Sequence, residues 1–278
     1  MKLAFLVFRF KNQLGSLLTP KKVGAKSADL FLKPRRLPLK DWEHSAEEHG
    51  NRITLNDDIS AIRWMPASAN GQRILIAHGW ESRATQMYGL VPNLLEQGYE
   101  VIALDMPGHG HSNGQHSNAW LFTQTLLLAQ DQLGIFDAII AHSMGAGATS
   151  YALQRGLKAG KLILISAPSS VERVLKHFSS LMGLWGKATQ QFIRSVEHRV
   201  GVPVTDLDAL IETHQHAIPT LLFHDQKDQE VPYEESKRLL LAFKNGTLIS
   251  TMGLGHRKIL KSSNLTQNIN AFLAKPID

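Results

Sequence analysis

The segment from Leu133 to Leu157 constrains the fold of this chain more than any other, because it joins two regular elements through a turn with little room in it. Its apolar run 138–141 is typical of a buried strand, and the residues from 146 onward are compatible with a helix. Between them lies Ser143, with an alanine two positions before it and a glycine two positions after it. A strand that passes directly into a helix brings the two backbones close together. The sequence therefore predicts a sharp strand-turn-helix unit with Ser143 at its apex.

Short apolar runs alternate with helical patterns along most of the chain from residue 51 onward. Strands are predicted at 52–55, 59–65, 72–77, 99–104, 138–141, 161–166, 220–224 and 247–251, the first two as an antiparallel hairpin at the sheet edge. Helical patterns separate the later strands. Apolar strands that alternate with helices indicate an α/β fold with a mainly parallel, eight-stranded sheet and helices on both faces.

One segment breaks this alternation, between the strand that ends near residue 167 and the strand that begins near residue 220. It contains helical patterns at 171–182, 188–199 and 207–214 and no convincing strand. Helices inserted after the carboxyl end of a strand lie over the ligand-binding end of an open α/β sheet. We therefore divide the chain into an N-terminal arm and connector (1–50), a first core part (51–168), a helical cap (169–217) and a second core part (218–278). Trp185 in the cap is a candidate substrate-binding residue.

The positive charge of the chain is concentrated in its first forty residues. They hold ten Lys or Arg residues against the single acidic residue Asp29, a balance of +9, whereas the whole chain carries +6 and the remainder therefore −3. Because the basic residues are confined to an arm and the body is slightly acidic, no nucleic-acid partner is expected.

An amphipathic helix is predicted in residues 3–18, where apolar residues recur at helical spacing: Leu3, Leu6, Val7, Phe10, Leu14, Leu17 and Leu18. Two interpretations remain open for it. It packs on the body of the protein, or residues 1–20 make a weak contact with a membrane surface. The basic, proline-containing stretch 33–40 is predicted to be an extended connector. No apolar run approaches the roughly 18 residues that span a bilayer, so the expected location is cytoplasmic, with peripheral membrane contact as the alternative.

Ser143 needs a base and an acid if it is to act as a nucleophile, since a serine hydroxyl reacts poorly at neutral pH without a base in hydrogen-bond contact. Where a serine stands on a strand-turn-helix elbow, the acid and then the histidine follow it along the chain. His256 is the only histidine after residue 224, and it lies in a glycine-rich loop just after the last predicted strand. Asp225 and Asp228 are the candidate acids on the turn that precedes it.

Four motifs then match one family in order. They are HGW at 78–80, DMPGHGHS at 105–112, AHSMG at 141–145, and the pair DQKDQEVP at 225–232 and GLGH at 253–256. From about residue 74 to residue 273 the chain resembles the α/β-hydrolase fold family, in particular the esterase and serine-aminopeptidase-like group with a short helical cap. It departs from the G-x-S-x-G pattern of that family only at Ala141, which replaces the first glycine.

The resemblance implies roles for individual residues. It makes Asp228 the acid that orients His256, because Asp228 occupies the acidic position of the family's D-x-x-V-P turn, and it leaves Asp225 to cap the turn. It assigns the two oxyanion-hole donors to the backbone N–H groups of Trp80 and Met144. The side chains of Trp80 and His142 are then expected to border the substrate pocket.

Metal and nucleotide chemistry find no support in the sequence. His109, His111, His116 and His142 lack the carboxylate-backed helical spacing of a metal site, and we expect them to shape loops instead. There is no phosphate-binding glycine motif between an early strand and helix. Without cysteine, disulfides and thiol catalysis are excluded. We therefore expect neither a metal nor a cofactor.

These observations predict a serine hydrolase that cleaves carboxylic esters, or related small acyl substrates, through an acyl-enzyme intermediate. A thioesterase, a lysophospholipase or an amide hydrolase would use the same three side chains. A ligand-binding protein that keeps the fold without turnover is the alternative from another class. The oligomeric state is left open.

Overall fold

Eight strands form one sheet in the computed structural model, which describes residues 2–209 and 216–276. They are β1 (Asn51–Leu55), β2 (Ile59–Trp64), β3 (Arg73–Ala77), β4 (Glu100–Leu104), β5 (Phe136–His142), β6 (Ala159–Ile165), β7 (Thr220–Asp225) and β8 (Gly246–Thr251). Their order across the sheet is β1-β2-β4-β3-β5-β6-β7-β8, with β2 antiparallel to both of its neighbours and all other pairs parallel. The prediction of a mainly parallel sheet with an antiparallel hairpin at its edge is confirmed.

The helices of the described residues follow the predicted alternation after β3. They are α1 (Lys2–Leu18), α2 (Pro20–Leu32), α3 (Asp41–Glu48), α4 (Val91–Glu96), α5 (Ala119–Leu133), α6 (Met144–Leu153), α7 (Val171–Leu181), α8 (Lys187–Val200), α9 (Glu234–Leu240), α10 (Gly255–Lys258) and α11 (Ser263–Leu273). Short 3₁₀ turns at 84–90, 204–206 and 259–261 complete the regular structure. None of the described helices is both long and apolar enough to cross a bilayer.

Helices cover both faces of the sheet, and neighbouring strand residues supply the two faces in turn. On β3, Leu75 packs with α5 and α6, whereas Ile74 and Ile76 pack with α4 and α11 on the other side. This alternation follows from the two-residue period of a strand. Because the central strands are apolar on both faces, their carboxyl ends are held rigidly at one edge of the sheet, where the candidate site lies.

The N-terminal arm is more helical than the sequence predicts. The stretch 33–40 has no regular secondary structure, in line with the connector prediction, but helices α2 and α3 lie on either side of it. Helix α2 packs along α8, and its residues Ala28 and Leu32 are buried in an apolar cluster with Leu175 and Phe192 of the cap. The burial of α2 depends on its partner helix α8. Its few apolar residues therefore do not predict a helix from the local sequence.

The segment predicted to form a cap contains α7 and α8 in the described part of the chain. Both helices fall where they are predicted. The predicted third helix is not seen at residues 207–209, which follow a 3₁₀ turn without being helical, and its remainder (210–214) lies outside the described residues.

Candidate active site

Ser143 lies in a strained turn between β5 and α6. Its backbone angles are φ 53° and ψ −123°, a conformation that residues with a side chain seldom adopt unless the surrounding structure holds them there. The backbone crowding explains the small neighbours. A Cβ atom added to Gly145 would lie 2.4 Å from the carbonyl oxygen of His78, and one added to Gly79 would lie 2.8 Å from the Cβ of Ser143. The loop after β3 therefore runs directly alongside the serine.

The structure brings Ser143, His256 and Asp228 together in a hydrogen-bonded chain. The hydroxyl of Ser143 donates to Nε2 of His256 at 2.8 Å, and Nδ1–H of His256 donates to Oδ2 of Asp228 at 2.7 Å. All three residues are at least nine-tenths buried. These distances match those of a nucleophile in contact with a base that is oriented by a third group.

The carboxylate of Asp228 is saturated with donors. Its Oδ1 accepts the backbone N–H groups of Glu230 and Val231 at 2.8 and 2.9 Å. Its Oδ2 lies 3.2 Å from Nε2 of the fully buried His224, in addition to its bond with His256. Burial alone would raise the pKa of Asp228, but the hydrogen bonds from His224 and His256 outweigh burial and hold that pKa well below its usual range. Asp228 is therefore charged and fixed in orientation.

His224 was not assigned a role from the sequence. Its Nε2 lies 3.0 Å from the carbonyl oxygen of Val231, which requires Nε2 to carry the proton, and its Nδ1 accepts the hydroxyl of Ser236 at 2.6 Å. The ring thereby directs an N–H group toward Asp228. The available sequence signal was a histidine at the end of a buried strand, four residues before Asp228.

Asp225 occupies a different position on the same turn, and its carboxylate is hydrogen-bonded to groups other than the His256 ring. Its carboxylate accepts the backbone N–H groups of Lys227, Gly253 and Leu254 and the hydroxyl of Thr251. Burial would raise the pKa of Asp225, but these hydrogen bonds lower it to about 2. Asp225 thus ties the loop after β7 to the loop that carries His256.

Two backbone N–H groups beside Ser143 have no acceptor among residues 2–209 and 216–276, those of Trp80 and Met144. Met144 is the first residue of α6, where an N–H has no intrahelical partner. The two N–H groups that follow Trp80 are engaged, since Glu81 donates to Nε2 of His109 and Ser82 donates to the carbonyl of Gly79. The two groups assigned to an oxyanion hole therefore have no acceptor within the described part of the protein.

Buried neutral histidines hold the loop that contains Trp80. Burial lowers the pKa of His78 to about 4 and that of His109 to about 3. Nε2 of His78 accepts the backbone N–H of Met106 at 3.0 Å, while Nδ1–H donates to the carbonyl of Gly79 at 2.6 Å. Both histidines thus have loop-shaping contacts. In the described ranges no three His, Asp or Glu side chains are arranged to hold a metal ion.

A cavity of about 460 Å³ opens beside Ser143. Trp80 and His142 line it together with Tyr88 and Leu260. Burial lowers the pKa of His142 to about 3, with the adjacent His256 as a further cause, so its ring is neutral. Nε2 of His142 lies 2.9 Å from the carbonyl oxygen of His256, and it therefore donates there and holds the His256 backbone in place.

Trp185 does not line this cavity. It lies in the loop between α7 and α8 with 48% of its surface exposed. The N-terminal arm contributes to the cavity wall instead, with Leu37, Lys40 and Trp42. No sequence signal singles these residues out, because their position depends on how the arm folds back over the core.

Comparisons with known proteins agree with this architecture. Residues 72–189 match the family model described as alpha/beta hydrolase fold, and residues 190–277 match that of TAP-like proteins. A serine hydrolase-like protein of Dictyostelium discoideum is 32% identical over 47% of this chain, which spans 34% of that relative. A bifunctional esterase/perhydrolase of Acinetobacter calcoaceticus is 24% identical over 80% of this chain and 98% of its own length.

Solved structures of esterases share the fold. An esterase of Pyrococcus furiosus superposes with a TM-score of 0.65 at 19% identity, covering 89% of this chain and 98% of its own. Est1E of Butyrivibrio proteoclasticus, solved with ferulic acid bound, superposes with a TM-score of 0.62 at 19% identity, covering 81% and 100%. The chain belongs to the α/β-hydrolase fold family. The first 71 residues of this α/β-hydrolase lie outside both family matches, yet they supply part of the cavity wall beside Ser143.

The aromatic contacts of Trp80 extend this link between the α/β-hydrolase core and the arm. The ring of Phe31 on α2 stacks on Trp80 with the ring centroids 6.0 Å apart, and Phe31 also contacts Phe178 and Phe192 of the cap. Glu81, the residue after Trp80, makes a bidentate ion pair with Arg35 of the arm. The arm is therefore anchored to the residues that flank the free N–H of Trp80.

Proposed function

We propose that this protein is a serine hydrolase that cleaves carboxylic esters, with Ser143 as nucleophile, His256 as general base and acid, and Asp228 as the group that orients His256. The observation that carries the proposal is the hydrogen-bonded chain from the Ser143 hydroxyl through the His256 ring to the Asp228 carboxylate. Its position on a strained turn, next to two unused N–H donors, supports the same role.

In the first half of the reaction, Nε2 of His256 removes the hydroxyl proton as Oγ of Ser143 attacks the ester carbonyl carbon. Asp228 stabilises the imidazolium that forms, because it is already charged and accepts a hydrogen bond from Nδ1–H of His256. The C–O bond of the ester then breaks, and His256 returns the proton to the leaving alcohol. The acyl group is left on Ser143.

In the second half, water takes the place of the alcohol. His256 removes a proton from the water as its oxygen attacks the acyl carbon, and the same proton returns to Oγ of Ser143 when the acid leaves. Both half-reactions pass through an oxyanion. The N–H groups of Trp80 and Met144 would donate hydrogen bonds to that oxygen, and the positive end of the α6 helix dipole would stabilise its charge further. One such donor typically lowers the barrier by about 3 kcal/mol.

The cavity beside Ser143 supports a small substrate with an apolar acyl or alkoxy part. Its walls include the rings of Trp42, Trp80 and Tyr88, and its volume of about 460 Å³ lies within the usual range for small-molecule sites. The esterases among the related proteins and solved structures favour an ester over other acyl substrates.

The direct test is labelling with a fluorophosphonate probe combined with hydrolysis of p-nitrophenyl acetate. We expect wild-type protein to be labelled at Ser143 and to hydrolyse the ester. Ser143→Ala should lose both the label and the turnover while it keeps the thermal unfolding midpoint of the wild type. Ser150→Ala is the matched control, because Ser150 is a buried serine on the helix that Ser143 precedes and its hydroxyl bonds only to the carbonyl of Ala146.

A substrate panel separates the ester hydrolase from its alternatives. Esters, thioesters and amides with the same acyl group, together with a lysophospholipid, should give the highest kcat/KM for the ester. A higher kcat/KM for a thioester, a lysophospholipid or an amide would change the proposed substrate class and leave the proposed mechanism unchanged. Wild-type protein that binds esters yet is neither labelled nor active would instead be a ligand-binding member of the family.

A further inference from the structure

Helix α1 presents its apolar stripe to solvent. On a helical wheel, seven large apolar side chains fall within an arc of about 120°. All seven are exposed, from 46% at Val7 to 76% at Leu3: Leu3, Leu6, Val7, Phe10, Leu14, Leu17 and Leu18. A helix of a globular protein normally turns this stripe toward the core. The interpretation in which α1 packs on the body through that stripe is therefore wrong.

The opposite side of α1 makes the contacts with the rest of the protein. The side chain of Asn12 donates to the carbonyl of Met182, just after α7, and Ser16 is buried with its hydroxyl bonded to the carbonyl of Asn12. Gly15 lies against Val23 of α2, where a Cβ atom would clash at 2.4 Å. Small and polar residues thus anchor the helix, and this anchoring leaves the apolar stripe directed outward.

Basic side chains lie at one edge of the exposed stripe and beyond its C-terminal end. Lys11 lies at one edge of it on the wheel, and Lys21 and Lys22 follow the C-terminal end of α1 at the start of α2; all three are exposed. In the described part of the chain, none of these three lysines takes part in an ion pair, and the first four residues of α2 contain no acidic residue. An apolar stripe bordered by cations is complementary to a membrane surface of anionic lipids.

We propose that α1 docks this protein on the surface of an anionic membrane, with the stripe from Leu3 to Leu18 inserted among the lipid acyl chains and the neighbouring lysines at the headgroups. The helix is too short and too polar on its other side to span the bilayer, so it lies in the plane of the interface. The charge around the stripe favours anionic lipid over a second copy of this chain, whose own arm carries the same positive charge. The inference does not depend on the proposed hydrolase activity.

The test is co-sedimentation of the full-length chain with vesicles of phosphatidylcholine that contain about one third phosphatidylglycerol. Wild-type protein should sediment with these vesicles, and much less with vesicles of phosphatidylcholine alone. Leu6→Gln combined with Phe10→Gln removes two stripe residues without changing the charge, and it should weaken binding at least about tenfold. Lys21→Gln combined with Lys22→Gln should weaken binding to the anionic vesicles by about tenfold and leave the weak binding to phosphatidylcholine vesicles unchanged.

The matched control is Ile135→Gln combined with Leu241→Gln, which removes two equally exposed apolar side chains away from the arm and should bind like the wild type. Unchanged unfolding midpoints establish that each variant is folded, because the substituted side chains are largely exposed. Wild-type protein that fails to sediment, or equal losses in the stripe and control variants, would overturn the proposal. So would a lipid-free dimer that dissociates in the stripe variant without any vesicle binding, since a second copy would then cover α1.

Discussion

The carboxyl edge of the sheet and the N-terminal arm are both close to Ser143, but different forces hold them. At the sheet edge, Asp228 and His224 are buried and take part in directional hydrogen bonds. In the arm, Phe31 contacts aromatic rings, while Leu37 and Trp42 remain more than one-third exposed at the cavity. Directional bonds to a buried charge have no substitute when one partner is removed, whereas apolar contacts weaken in proportion to the area lost.

This difference predicts two kinds of mutational behaviour. Substitutions at the sheet edge should lower kcat sharply where the residue contacts the reacting groups, and should lower stability where a buried carboxylate only ties loops together. Substitutions in the arm should change substrate affinity gradually.

The largest effect is expected at Asp228. Asp228→Asn removes the charge and offers His256 a donor in place of an acceptor, so that the wrong tautomer of His256 is favoured. We expect kcat for p-nitrophenyl acetate to fall on the order of 10⁴-fold. Asp225→Asn is the matched variant on the same turn, and its kcat should fall less than about tenfold. Equal losses in the two variants would show that the turn as a whole, rather than the contact with His256, is what matters.

A second prediction concerns the stability that Asp225 supplies. Its pKa is lowered to about 2 in the folded protein from an ordinary value of 3.8, so the carboxylate stabilises the fold above pH 4 and this contribution is lost as the pH falls from about 4 to 2. The contribution amounts to about 2 kcal/mol in the free energy of unfolding. Denaturant titrations should show wild type losing more stability than Asp225→Asn between pH 5 and pH 2.5. Parallel pH profiles of the two proteins would contradict this account.

The smallest effect is expected in the arm. Trp42→Ala removes an aromatic wall of the cavity and should raise KM for an aromatic ester by about threefold to tenfold, with kcat almost unchanged. Trp185→Ala provides the comparison, because Trp185 is similarly exposed but lies outside the cavity. We expect the Trp185→Ala variant to keep the KM of the wild type. If Trp185→Ala raised KM instead, the cap rather than the arm would form this part of the substrate site.

The strands, their mainly parallel arrangement and the fold family were all predictable, because each depends on a local pattern. Buried strands require apolar runs, and the crowded turn at Ser143 requires small residues such as Gly145, whose replacement would clash with the carbonyl of His78. The choice of Asp228 over Asp225 came from the position of the residue in a family motif. The roles of the site residues stay predictions until the proposed variants are measured.

The arm was predicted least well. A helix at 20–32 was missed because its buried face is completed only by the facing helix α8, and no local pattern encodes a partner so distant in the chain. For the same reason Trp185 was expected in the substrate pocket, and Trp42 was not. Both tryptophans are similarly exposed, and only the path of the backbone places Trp42 at the cavity and Trp185 outside it.

The sequence by itself determined the alternation of strands and helices, the serine at a crowded turn, and the order in which the acid and the histidine follow it. These features depend on neighbouring residues, where backbone geometry permits few side chains. Only the tertiary structure decided that His224 directs an N–H to Asp228, that the arm lines the cavity, and that the apolar stripe of α1 faces outward. Those outcomes depend on contacts between segments far apart in the chain, whose packing is set by the whole fold.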